Sequence, residues 1–180
     1  MLSISPLSHN TRPSGRLPEQ EQAAFDLLEK LGMEYDCVSH DAAFNMELCA
    51  DVAAALGVPV CKNLFLCNRQ QTAFYLLCMM PDKPFRTKDL SAQIGSSRLS
   101  FAPEERLWEL LHCHPGSATI LGLANDTEHR VQLLLERAVY EAPYLSCHPC
   151  ICTSTLKLKT GDVLEKLLPA VDHEAIIVDL

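Results

Sequence analysis

Asn63 to Asn68 (NLFLCN) and Thr72 to Met79 (TAFYLLCM) flank the polar run Asn68-Arg69-Gln70-Gln71. Phe, Leu, Tyr and Cys suit an extended, half-packed backbone, and a short polar link between two such runs predicts a β-hairpin. Neither arm alternates apolar with polar. Both are nearly continuous apolar runs, which predicts a sheet covered on both faces.

Outward from the hairpin, other segments alternate between helical and extended patterns. Ala23, Phe25, Leu27, Leu28 and Leu31 form an apolar stripe, so Pro18 to Leu31 reads as a helix that Gly32 stops. Tyr35 to His40 reads as a strand. A second helix, with Asn45 as its cap, runs to Leu56 before Gly57 and Pro59. Beyond the hairpin, Thr87 caps a short helix ending at Gly95, Leu99 to Phe101 is a brief strand, and Pro103 opens a helix over Glu104 to Leu111. His112 to Ser117 is a loop. Val131 to Leu135, Tyr144 to Cys147 and Thr153 to Lys157 are strands, Thr160 caps a helix to Leu168, and Ala175 to Val178 closes the chain as a strand. Interleaved strands and helices, several joined by short links, predict an α/β (α+β) fold with a mixed central β-sheet flanked by helices. No internal repeat is present. The Ser-, Pro- and Arg-rich residues 1–17 read as a flexible leader, or a transit peptide, ahead of one domain over 18–180.

The 180 residues suffice for one well-buried core, and 48% apolar composition excludes wholesale disorder. No apolar window approaches the ~18 residues of a membrane span, so no membrane partner is expected. Nine cysteines, an odd number without a secretion signal, predict reduced, buried thiols and a cytoplasmic protein. A net charge of −8 is not the footprint of a protein that grips nucleic acid by charge alone, so any RNA contact must be local. Lys83, Arg86 and Lys88 cluster, as they would in an ordinary solvated loop.

Three segments carry candidate chemistry. Lys62-Asn63 opens the hairpin, and an ammonium at a sheet edge suits a phosphate, although a lysine guarding a strand would look the same. His114-Pro115-Gly116-Ser117-Ala118-Thr119 strings small residues together. Their backbone N–H groups can hold an anion or a carbonyl oxygen, although Pro-Gly also marks a plain turn. Cys147-His148-Pro149-Cys150, followed by Cys152-Thr153-Ser154-Thr155, sets a histidine at a strand end, where it can serve a site or simply the structure. His112, His114, Cys147, His148, Cys150 and Cys152 are zinc-ligand types, but their spacing fits no familiar framework. No thiol sits at a helix N-terminus beside a base, as a cysteine nucleophile would. Paired catalytic carboxylates, a P-loop and GxGxxG are absent.

Taken in order, Lys62-Asn63-Leu64-Phe65-Leu66, the run from Gly116 to Asp126 (GSATILGLAND) and the run from Cys147 to Thr155 (CHPCICTST) resemble the YbaK/prolyl-tRNA editing (INS) domain family. The similarity covers roughly residues 20 to 180 and is greatest to the stand-alone PrdX, or prolyl-tRNA synthetase associated domain, branch. The resemblance implies a mixed sheet flanked by helices and hydrolysis, in trans, of the ester of mischarged proline tRNA, with no cofactor and no metal. It implies aminoacylated tRNA, bound by its acceptor end, as a partner, with prolyl-tRNA synthetase as another. It implies catalytic roles for Lys62 at the terminal adenosine or its phosphate, for Gly116 in the loop that holds the ester, and for His148 in shaping the aminoacyl pocket. Asn63, Ser117, Ala118 and Thr119 are the implied substrate-binding residues. Ile120, Cys150 and Cys152 stand where the family often has proline and asparagine, and are expected to border the pocket. Alanine is the first expected side chain, with cysteine and serine next. A non-catalytic tRNA- or synthetase-binding module, or a zinc protein, are the alternative readings.

Overall fold

The computed structural model describes residues 3–42 and 46–180. The expected hairpin forms the centre of the molecule. β3 (Lys62–Cys67) and β4 (Phe74–Met79) pair antiparallel, with Lys62 opposite Met79 and Cys67 opposite Phe74. Ahead of them lie β1 (Ser8–His9), α1 (Glu19–Lys30), β2 (Tyr35–Ser39) and α2 (Met46–Leu56). After them follow α3 (Thr87–Ile94), β5 (Ser100–Phe101), α4 (Glu104–Leu111), a 3-10 helix (Ile120–Asn125), β6 (Val131–Glu136), α5 (Arg137–Glu141), β7 (Tyr144–Cys147) and β8 (Ser154–Lys159). The chain ends with a helical segment over 160–170 and β9 (Ala175–Val178). Asn45, expected as a cap, lies outside the described residues.

Two sheets form, where one was expected. The five-stranded sheet has the order β5-β3-β4-β6-β9 and is mixed: β4, β6 and β9 run parallel, while β3 and β5 run antiparallel to their neighbours. The four-stranded sheet, β1-β2-β8-β7, is antiparallel. Strand periodicity explains the arrangement, because successive side chains face opposite ways. On the mixed sheet Leu76 and Leu133 join the core shared with the second sheet, whereas Leu77 and Leu134 face Leu90 of α3 and Leu99. On the antiparallel sheet Cys37 faces the shared core, and Val38 faces Leu48, Val52 and Leu56 of α2. Both sheets are thus covered on two sides, as the unbroken apolar runs of the hairpin require.

The stretch before Pro18, expected as a separate leader, is part of the domain from Ile4 onward. Ile4 bridges His40, β1 extends the antiparallel sheet, and Arg12 pairs with Asp26 and Glu29 of α1. Thr87 and Thr160, read as caps, are instead the first residues of their helices. Arg86 and Lys159, both extended, take the N-cap positions. The 160–170 helix widens to a π-helix over Val163–Leu167 just before Pro169. Proline has no N–H to complete a regular ladder there.

Gly122, in the 3-10 helix, lies against the end of α4. A Cβ at this position would stand 2.8 Å from the Leu111 carbonyl oxygen and 3.0 Å from Leu111 Cβ. Gly122→Ala is expected to destabilise the fold by about 1–3 kcal/mol through overpacking, measured as a lower midpoint of urea unfolding with an unchanged slope.

Candidate functional site

A cavity of about 870 Å³ opens between the two sheets and α2. Its wall comes from six parts of the chain: α2, with Leu48, Val52 and Ala53; residues 57–63 leading into β3; Pro81 after β4; Gly116 and Ala118; His40 at the end of β2; and His148 with Thr155 around the β7–β8 turn. The volume falls within the usual range for a small-molecule site. Most of the lining is aliphatic, with a few polar groups along one side.

One hydroxyl ties the two sheets together at this point. Ser146 Oγ, buried on β7, accepts from the Cys61 N–H at 2.8 Å and donates to the Pro59 carbonyl at 2.9 Å. It fixes the approach to β3, and with it Lys62 and Asn63. Lys62 is exposed, and among the described residues it has no carboxylate partner, unlike Lys83, Lys157, Lys159 and Lys166. Asn63 Oδ1 is buried and has no hydrogen-bond donor among the described residues. A buried, unmatched acceptor in a cavity wall is costly unless something outside the chain supplies the donor.

The loop on the opposite side is held by its own turn. Ser117 Oγ accepts from the His114 N–H at 3.0 Å and donates to the His114 carbonyl at 2.9 Å, and the Ser117 N–H donates to the same carbonyl. Gly116 adopts φ 86°, a conformation that side chains rarely tolerate. The turn leaves the N–H groups of Gly116 and Ala118 without an acceptor among the described residues.

His148 Nδ1 donates to the Ser154 carbonyl at 2.8 Å, which places the neutral ring's proton on Nδ1. Burial pushes its pKa below the usual histidine value, against the opposing pull of that hydrogen bond. Ser154 Oγ in turn donates to Glu21 of α1 at 3.0 Å, and burial raises the Glu21 carboxyl. Thr155 Oγ1 lies 2.8 Å from His40 Nε2 and 3.5 Å from His148 Nδ1, linking the two imidazoles, whose centroids are 6.3 Å apart. The Cys61 thiol is drawn below the usual thiol range by a hydrogen bond from Cys78, with burial opposing, and the same bond pushes Cys78 up.

Of the residues singled out from sequence, Lys62, Asn63, Gly116, Ala118 and His148 line one cavity. Ser117 and Thr119, expected at the substrate, are buried elsewhere. Ser117 clamps its turn, and Thr119 Oγ1 caps the 3-10 helix at Leu121 N. Ile120, Cys150 and Cys152, expected to border the pocket, are not in its wall, and Ile120 and Cys150 belong to the shared core. The Asn125-Asp126 pair is structural. Asn125 donates to the Leu111 carbonyl, and buried Asp126 accepts from the Arg130 and Val131 N–H groups and meets His173 Nε2 at 2.9 Å. His40 and the α2 face escaped the sequence reading, and Thr155 was quoted in it only as the end of the third segment. His40 at a strand end was the one available signal. Among the described residues, no three His, Cys, Asp or Glu side chains are grouped to hold a metal ion, and no helix is long and apolar enough to cross a membrane.

A family model described as the aminoacyl-tRNA editing domain matches residues 40–166. The chain belongs to this family. It is 30% identical over 155 residues to a Danio rerio protein named prolyl-tRNA synthetase associated domain-containing protein 1, covering 85% of this chain and 83% of that one. It is 28% identical over 152 residues to the prolyl-tRNA editing protein ProX of Acetoanaerobium sticklandii, covering 84% and 92%. A crystal structure described as a candidate trans-editing enzyme for prolyl-tRNA synthetase superposes with a TM-score of 0.64 at 14% identity, over 90% of this chain and 98% of that chain. At that identity the superposition speaks for the shared editing-domain fold alone.

The depressed His148 pKa has a consequence for stability. Between the folded value and the unfolded value near 6.5, the unfolded chain binds more protons, so stability rises with pH. The neutral ring's contribution is complete above about pH 6.5 and is lost as pH falls through the folded pKa. His148→Asn keeps a donor for Ser154 but cannot titrate. The melting temperature of the wild type is expected to fall more than that of the variant between pH 7.5 and 5.5, as followed by circular dichroism.

Proposed function

We propose that this chain is a trans-editing deacylase that hydrolyses the ester of mischarged proline tRNA. What carries the reading is one largely aliphatic cavity whose lining includes Lys62, Asn63, Gly116, Ala118 and a neutral His148. The names of the relatives support proline tRNA as the carrier.

An aminoacyl ester is already labile, so the site needs to position water and stabilise the oxyanion rather than supply a strong nucleophile. Water adds to the ester carbonyl carbon, the oxyanion takes the developing charge, and the C–O bond to the ribose breaks, releasing the amino acid and the ribose hydroxyl. The N–H groups of Gly116 and Ala118 donate to the oxyanion, where one such donor is worth about 3 kcal/mol of barrier. Asn63 Oδ1 accepts from the substrate's α-ammonium. His148, kept neutral by burial, lies beside that ammonium without repelling it. Lys62 contacts the terminal phosphate. The ribose hydroxyl next to the ester assists the attacking water.

Alanine is the preferred side chain, with cysteine and serine next, because a pocket narrow enough to exclude proline still admits these. Each rejected group contributes only about 1–3 kcal/mol, which is why a separate editing site is useful. Cys61 also lines the cavity, which favours one second reading, acyl transfer to Cys61 followed by hydrolysis.

Incubation with proline tRNA charged with alanine, cysteine, serine or proline should give rates in the order alanine first, cysteine and serine next, proline last. Background rates with every substrate would refute the deacylase reading and leave a binding module. Lys62→Ala should lower kcat/KM about tenfold to a hundredfold while the circular dichroism spectrum is unchanged. Equal turnover would remove Lys62 from the site. Cys61→Ala should retain hydrolysis, whereas loss of turnover in a folded variant would favour the thiol route.

A further inference from the structure

The end of α4 and the loop after it carry three aromatic rings in a stack. Trp108 and His114 are parallel, with centroids 4.7 Å apart and planes 13° apart, and Trp108 and His112 stack at 5.6 Å and 25°. His112 takes a left-handed conformation (φ 50°) at the helix C-cap, which turns the chain back over the Trp108 ring. Rings of this kind are usually covered, yet Trp108 is 45% exposed and both histidines are exposed.

The stack is joined to the cavity. The turn closed by Ser117 on His114 fixes His114 relative to Gly116, which lines the cavity wall. Two residues of chain span at most about 7 Å. Stacked nucleotides advance about 3.4 Å each. The backbone of His114 therefore lies within about 7 Å of Gly116 in the cavity wall, the advance of about two stacked nucleotides.

We infer that His114, backed by Trp108, forms a stacking platform for an unpaired base of the RNA 3′ end, next to the nucleotide held in the cavity. The inference rests on the deacylase reading for the identity of the RNA. Charge supports it as well. At a net charge of −8 the protein gains little from general attraction to phosphates, whereas stacking on aromatic faces contributes affinity without a cationic surface.

Trp108 is the only tryptophan, so its fluorescence reports the platform without interference. Titration with a short single-stranded RNA ending in CCA should quench the emission saturably. An RNA of the same length lacking the bases at the two positions before the last should bind about tenfold more weakly. His114→Ala keeps the backbone turn and should abolish that difference. With alanine-charged proline tRNA, Trp108→Ala and His114→Ala should raise KM about tenfold with little change in kcat, and should leave hydrolysis of alanyl-adenosine, which has no preceding base, unchanged. Equal binding of intact and base-stripped RNA, or equal KM values on charged tRNA, would overturn the platform even if deacylation is observed. Base-dependent quenching without hydrolysis would support the platform and refute only the deacylase reading.

Discussion

The Ser146 hydroxyl, accepting from the Cys61 N–H and donating to the Pro59 carbonyl, is the contact on which the site depends. Lys62 and Asn63 belong to the mixed sheet, and His148 follows the last residue of a strand in the antiparallel sheet. Apolar contacts hold the two sheets together over the shared core, but such contacts are non-directional and do not set a side chain's position to a fraction of an ångström. A buried hydroxyl with both of its bonds satisfied does.

The same division of labour recurs around the cavity. Apolar side chains exclude water and give the volume, while a few buried polar bonds orient the groups that face inward. Glu21 holds Ser154, whose carbonyl fixes the tautomer of His148. Thr155 joins His148 to His40. Ser117 closes the turn that leaves the Gly116 and Ala118 N–H groups without an acceptor among the described residues. Glu21, Ser154 and Ser117 do not reach the cavity, yet they decide what a cavity residue can do, by the logic that governs supporting shells in designed sites; Thr155 does so from within the wall.

The run from Gly116 to Asp126 is mixed in purpose. In its first part, Gly116 and Ala118 supply cavity wall. Its second part is scaffold: Gly122 permits contact with Leu111, Asn125 ties back to the Leu111 carbonyl, and Asp126 anchors the start of β6 and meets His173. Both parts are constrained tightly, one by a site and the other by backbone groups that would otherwise be buried unpaired.

The sequence by itself determined most of the longer helices and strands, because periodicity, glycine stops and polar turns act over a few residues, but not β1, the 3-10 helix or α5. It also determined that the hairpin would be covered on both faces, and it singled out Lys62, Gly116 and His148. The division into two sheets and the docking of the chain before Pro18 needed the tertiary structure. So did the inward burial of Ser117 and Thr119 and the arrival of His40 beside Thr155. These depend on contacts between residues far apart in the chain, 85 positions for Cys61 and Ser146, 115 for His40 and Thr155, and 133 for Glu21 and Ser154. No local pattern encodes such a pairing. Strand register and the packing of two sheets on one core bring these groups within bonding distance, and that packing is a property of the whole chain.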